Sequence, residues 1–278
     1  MSLKEILAPV IALEEDEAAL MAAAELSAKF SARPTALILA VHAASTFVDN
    51  EVPLSVALED LAGGPRSRAA QLRRGLMAWL NRAPTPFEIK DLAIEHAVDD
   101  DRIVAHARVA DLVVMARAPS HDRARQAVIE DVLFKSGRPM LIVPSHPVRA
   151  RRWDKIVIGW NAKAEAVRAV AAALSFLTAA KQVAIATVDA TPSAAGHSDK
   201  PGREIADYLA HHGVVAEVRN VDGLGRTHGR ALVDEAQAID ADLLVLGAYG
   251  HSRAREFMFG GVTRELLAGS PVPLLLAH

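Results

Sequence analysis

The chain is written twice, and that doubling limits what it can fold into. Asp111-Leu-Val-Val-Met115 is echoed by Asp242-Leu-Leu-Val-Leu246, and Gly137-Arg-Pro139-Met-Leu-Ile-Val143 by Pro271-Val-Pro273-Leu-Leu-Leu-Ala277. Each copy takes about half of the 278 residues. Self-similarity of this kind is weighed before any local feature because it sets the architecture.

Within each copy, short apolar runs alternate with helical periodicity. In the second copy, Lys155–Gly159, Gln182–Val188, Val214–Val221, Leu243–Leu246 and Val272–Ala277 read as strands. Ala164–Thr178, Lys200–His212, Arg230–Ile239 and an apolar-patterned segment from Arg264 to Ala268 read as helices. Val167, Val170, Leu174 and Leu177 are expected on the buried face of the first helix. Gly213 is expected to close the second. In the first copy the strands are Ile6–Val10, Thr35–Val41, Phe87–His96, Leu112–Met115 and Met140–Val143. Its helices are Glu14–Phe30, a long region ending near Arg82 and interrupted at Gly63-Gly64-Pro65, Asp101–Arg108 and Arg123–Ser136.

This alternation predicts an α/β chain of two tandem Rossmann-like domains. Each is a five-stranded parallel sheet of order 3-2-1-4-5 with helices on both faces. The expected domains are 1–146 and 154–278, joined by an exposed linker at 147–153 with prolines and arginines around it.

Composition removes several functions. No cysteine is present, so disulfides, thiolate metal sites and cysteine nucleophiles are excluded. A net charge of −3 with interspersed signs gives no electrostatic footprint for nucleic acid. No apolar run approaches the roughly 18–20 residues that span a bilayer, and Met1–Leu7 does not read as a signal peptide. The expectation is a cytoplasmic protein with no membrane partner. The 11 histidines, His42, His96, His211 and His212 among them, show no metal spacing. Neither a nucleophile elbow nor a phosphate loop ending in Gly-Lys-Ser/Thr appears. No catalytic residue or metal ligand is therefore assigned. Asp189 and Asp222, after the second and third strands of the second copy, read as solvated or helix-capping carboxylates. The other reading is that they approach a metal bound to phosphates.

One loop carries chemistry. Gly247-Ala-Tyr-Gly250 and Gly260-Gly261-Val262-Thr263 bracket a connection from strand to helix. Glycine lets backbone approach a ligand closely, and a helix start offers N–H donors to an anion, most often phosphate. In the order 3-2-1-4-5 the reversal lies between strands one and four, where ligands of open sheets sit. Strand one of the second copy ends at Gly159-Trp160-Asn161 and strand four at Gly247, so both unusual segments meet at one crevice. Trp160 reads as a packing residue, with stacking on a base as the alternative. His251, Ser252, Arg253 and Arg255 read as solvated loop, with an arginine contact to phosphate as the alternative.

With those residues in view, the second copy resembles a universal stress protein domain, and nearly the whole chain resembles a tandem pair of them. ATP-binding members carry Gly-x2-Gly-x9-Gly followed by Ser or Thr. Gly247, Gly250 and Gly260 match that spacing, Gly261 stands where the hydroxyl residue is expected, and Thr263 matches a Thr two residues on. Asn161 stands where the family has an Asp that contacts adenosine, and Val188 matches a residue whose backbone touches adenine. The resemblance implies a site for ATP, AMP or ADP, with Mg2+ as an accompanying ion, formed by Gly159, Trp160, Asn161, Val188, Gly247, Gly250, Gly260, Gly261, Val262 and Thr263. It implies a stress-response binding protein acting on a protein partner. A nucleotide-free scaffold and a slow ATPase are the alternatives. It also implies an intramolecular pseudo-dimer, with further homodimerisation left open.

The first copy lacks these features. Ala116 stands in place of Gly247, the following Arg117-Ala-Pro119-Ser-His-Asp-Arg123 has no glycine, and Ile11-Ala-Leu13 offers no polar side chain. It reads as a nucleotide-free structural repeat, with a site for another ligand as the other reading.

Overall fold

The computed structural model describes residues 3–41, 54–94, 101–145, 151–192, 198–248 and 261–278; side chains at 41, 54–66 and 93–94 are outside that description. The chain divides into two compact units, Ser2–Ala150 and Arg151–His278. The first runs β1 (Glu5–Val10), α1 (Leu13–Phe30), β2 (Arg33–Val41), α2 (Leu54–Leu80), β3 (Glu88–Ile94), α3 (Asp101–Arg108), β4 (Leu112–Ala116), α4 (Arg123–Lys135) and β5 (Met140–Val143). The second runs β6 (Lys155–Gly159), α5 (Ala164–Ala179), β7 (Gln182–Val188), α6 (Arg203–His211), β8 (Ala216–Val221), α7 (His228–Ala238), β9 (Leu243–Gly247), α8 (Gly261–Gly269) and β10 (Leu274–Ala277). The strand orders are β3-β2-β1-β4-β5 and β8-β7-β6-β9-β10, parallel throughout. Both match the expected 3-2-1-4-5 plan.

Burial follows position in the sheet. β4, β5 and β10 are buried at every residue and are built from Leu, Val, Ile, Met and Ala. Strands covered by helices on both faces read as continuous apolar runs for this reason. β8 is half exposed along its length and carries Glu217 and Arg219. Charges on such a strand oppose pairing with another chain.

The repeated aspartates have a shared physical cause. Asp111 Oδ2 accepts the backbone N–H groups of Lys4 and Glu5 at 2.7 and 3.0 Å. Asp242 Oδ2 accepts those of Asp154 and Lys155 at 2.9 and 3.2 Å. In each unit a carboxylate ahead of the fourth strand clamps the start of the first. These N–H groups precede the sheet ladder and would otherwise need water.

Three expectations are corrected. α2 runs unbroken from Leu54 to Leu80, through Gly63-Gly64-Pro65. A proline removes one N–H and a glycine costs about 1 kcal/mol, and the long helix on either side carries both. On α5, Val167 is 52% exposed, and the buried face is Ala166, Ala169, Val170, Ala173, Phe176 and Leu177. Alanines let this helix approach the sheet closely, so the seam follows the small residues rather than the branched ones. Trp153, placed in the linker by sequence, is 1% exposed within the second unit. Linker residues 147–150, and residue 146 before them, lie outside the described residues. Among the described residues no helix is long and apolar enough to cross a membrane.

The aspartate clamp is testable. A hydrogen bond to a charged group contributes about 1.5–3 kcal/mol. Asp111→Ala and Asp242→Ala should each lower stability by about that amount in urea unfolding. Midpoints indistinguishable from wild type would remove the clamp as the reason for the repeat.

Candidate functional site

The crevice of the second unit lies at the carboxyl ends of β6 and β9, which pair from Ile156↔Leu243 to Gly159↔Leu246. Two of its glycines are set by packing. A Cβ on Gly247 would run into the backbone of α5, at the Ala166 nitrogen and the Glu165 carbonyl carbon. A Cβ on Gly159 would strike the Leu246 and Leu232 side chains. Both positions are glycine because the α5 start and the α7 face lie directly on these strand ends.

The turn out of β6 is tightly held. Trp160 is half buried, and its N–H donates to the Ala186 carbonyl at 2.8 Å. Asn161 is exposed, and its Oδ1 accepts the Lys163 N–H at 3.1 Å. Ala162 has φ of +57°. Asparagine thereby closes a local turn that starts α5. Its side-chain nitrogen has no hydrogen-bond partner among the described residues, and its oxygen keeps a second lone pair.

Val188 ends β7, half buried and paired with Val221. Asp189 follows with φ of +48°. Its carboxylate accepts the Gly223 N–H at 2.8 Å, and His228 Nε2 is 3.7 Å away. Asp189, read from the sequence as solvated or helix-capping, is exposed, and its carboxylate also ties the ends of β7 and β8 together. His211 and His212 stand at the end of α6, where the His212 ring lies 4.7 Å from Tyr208.

α8 opens at Gly261, where an added Cβ would meet none of the described residues within 4 Å. Val262 is half buried and Thr263 is 6% exposed. The start of α8 is located by Glu265, whose carboxylate accepts the Thr227 hydroxyl at the N-cap of α7. Thr227 in turn accepts the Arg230 N–H at 3.2 Å. The sequence reading missed this contact; a threonine before a helix was its only signal. Gly250, Gly260, His251, Ser252, Arg253 and Arg255 lie outside the described residues, as do His42 and His96. Asn161 follows β6 and Gly247 ends the adjacent β9, Gly261 and Thr263 lie in the first turn of α8, and Val188 ends β7, one strand further out.

The equivalent crevice of the first unit is built differently. Asp16, in the first turn of α1, accepts the Ile11 and Ala12 N–H groups at 2.7 and 3.0 Å. It also pairs with Arg125 Nη1, and both side chains are 0% exposed. Arg125 Nε donates to Asp122 at 3.0 Å, and Asp122 caps α4 by accepting the Arg125 N–H at 2.9 Å. Burial raises the Asp16 carboxyl above its usual range, while Arg125 and the two backbone donors pull it back. Sequence reasoning missed this pair, although a signal was present. Asp16 shares a helical stripe with Ala19, Leu20 and Ala23, and Arg125 shares one with Val128, Ile129 and Val132. A charge on an apolar stripe needs a buried partner.

Residues 152–278 match the Universal stress protein family. The C-terminal half is a universal stress protein domain. A universal stress protein from Archaeoglobus fulgidus DSM 4304 has a similar structure, with a TM-score of 0.70 and 16% identity over 98% of this chain and 95% of its own. A putative universal stress protein from Pseudomonas aeruginosa UCBPP-PA14 gives 0.56 and 16% over 99% and 93%. A universal stress protein in complex with cAMP aligns with 45% of this chain and 97% of its own, at 25% identity and a TM-score of 0.36. No curated protein matches the sequence. The two full-length similarities show that the first unit belongs to the same tandem fold, while the family match itself covers the second.

The two glycine environments predict opposite outcomes. Gly247→Ala should cost about 1–3 kcal/mol through overpacking against α5. Gly261→Ala should be neutral or stabilise by about 0.4–1 kcal/mol through a less flexible unfolded chain. Urea midpoints of the two variants measure the contrast, and equal losses would contradict it.

Proposed function

We propose that the universal stress protein domain binds an adenine nucleotide, ATP or its AMP and ADP relatives, at the ends of β6 and β9. The observation that carries this reading is Gly261 at the start of α8, the helix that follows β9 where the strand order reverses. A helix start offers N–H donors that suit a phosphate. In this reading, backbone N–H groups around Gly250, Gly260 and Gly261 hold the phosphates. Thr263 and Val262 follow on the same helix, and Gly247 brings α5 close. Asn161, with Gly159 and Trp160 before it, meets the ribose or base through its side-chain amide, and the backbone of Val188 meets adenine. Mg2+ accompanying the nucleotide would be held chiefly by the phosphates. The nucleotide acts as a regulatory ligand that changes a surface read by a protein partner, in a stress response in the cytoplasm.

A second reading is a nucleotide-free scaffold. It draws support from Gly247 and Gly159, whose packing against α5, Leu232 and Leu246 explains them without a ligand.

Equilibrium dialysis with labelled ATP separates the two. Wild type should retain label, and a Gly250→Asp, Gly260→Asp double variant should not. Gly261→Ser should bind roughly 2- to 10-fold tighter, the equivalent of one added neutral hydrogen bond. If wild type and the double variant hold equally little label, the nucleotide reading fails and the scaffold stands.

A further inference from the structure

We propose that the first unit is a self-liganded anion site, in which the Asp16 carboxylate occupies a receptor built from Arg125 and the Ile11 and Ala12 N–H groups. The ligand class that this receptor takes once the tethered carboxylate is removed is a small monocarboxylate. The inference concerns the first unit alone and does not depend on nucleotide binding in the second.

Four observations carry it. The receptor sits where β1 and β4 leave the sheet, the same reversal of strand order that forms the crevice of the second unit. Its donors converge on one carboxylate from two distant parts of the chain. Ile11 and Ala12 come from the turn after β1, and Arg125 lies 109 residues away from Asp16 on α4. The guanidinium is held in place independently of Asp16, because Nε is bonded to Asp122 and Asp122 is bonded to the α4 backbone. Its Nη2 is buried with no hydrogen-bond partner among the described residues. The receptor therefore has more donor capacity than Asp16 uses.

The two backbone donors border a groove, while Asp16 and Arg125 are buried behind it and do not line it. Ile11 and Ala12 line a groove of about 450 Å3, whose other walls include Leu13, Arg68 and Gln71. Glu14 and Glu15 stand at the same groove. With Arg68 the groove carries charges of both signs, so the ligand class is set by the carboxylate that Asp16 places at the receptor. In the intact protein, the carboxylate of Asp16 is covalently tethered at its receptor, and an external anion must displace it. Tethering raises the effective concentration far above that of any free competitor. The contact is thus autoinhibitory towards anions.

Asp16→Ala removes one carboxylate and leaves Cβ, so formate is the matching probe. The full chain is used, with sodium chloride at equal ionic strength as the reference. Asp16→Ala should melt several degrees below wild type in chloride, and formate should restore more than half of that loss with saturation. Wild type should respond to formate no more than to chloride. An Asp16→Ala, Arg125→Met double variant should not respond to formate either, since the guanidinium is gone. Equal melting of Asp16→Ala in formate and chloride would overturn the proposal, as would an equal formate response in the double variant. If Asp16→Ala does not refold in chloride, its refolding yield replaces the melting temperature. Recovery in formate then supports the proposal, and equal failure in both salts overturns it.

Discussion

A sheet of order 3-2-1-4-5 brings two helix starts to one gap, and each arrives with N–H groups that its own helix cannot pair. Much else at the two crevices follows from how those donors are met. In the first unit they are met by carboxylates of the chain itself. Asp16 takes the two N–H groups ahead of α1, Asp122 takes one at the start of α4, and Arg125 balances both charges. In the second unit Asn161 takes one N–H at the entry to α5, and α8 opens on a glycine. One unit meets its donors with a buried carboxylate, and among the described residues the other places none there.

What the two units share is what a parallel sheet needs, and what they do not share lies at the crevice. The clamp by Asp111 or Asp242 on the first strand is the same in both, down to the oxygen that accepts two backbone N–H groups. So is the strand order. The equivalents of Gly247 and Asn161 in the first unit are Ala116 and the apolar Ile11-Ala12-Leu13 turn. A buried pair such as Asp16–Arg125 contributes little net stability when intact, yet removing one partner costs about 3–5 kcal/mol. It is therefore better understood as an element that specifies the geometry of the turn than as a source of stability.

Much of this was legible in the sequence, and the limits have physical causes. Strands built from Val, Ile and Leu announced themselves, because burial on both faces demands apolar runs. Lys155–Gly159, Gln182–Val188 and Met140–Val143 were bounded to the residue. The face of α5 was misread because periodicity of branched residues points to Val167 and Leu174, while the sheet takes the alanines. Trp153 was lost because arginines and prolines nearby gave the segment the look of a linker. Asp16 was hidden in the run Glu14-Glu15-Asp16-Glu17, which reads as solvated first-turn charge. At about 100° per residue, one member of any such run must turn inward. Its partner lies far off in sequence, so only the fold reveals the pair.

The glycine spacing that identified the second unit mixes two kinds of requirement, and the structure separates those that it describes. Gly247 answers to packing, because the α5 backbone occupies the place of its side chain. That packing persists whether or not anything binds. Gly261 meets no such demand among the described residues, because none of them lies within 4 Å of its side-chain position. The missing hydroxyl therefore has no packing cause among those residues. A pattern match at Gly247 speaks mainly for the fold, and the departure at Gly261 bears on the affinity of whatever the crevice holds.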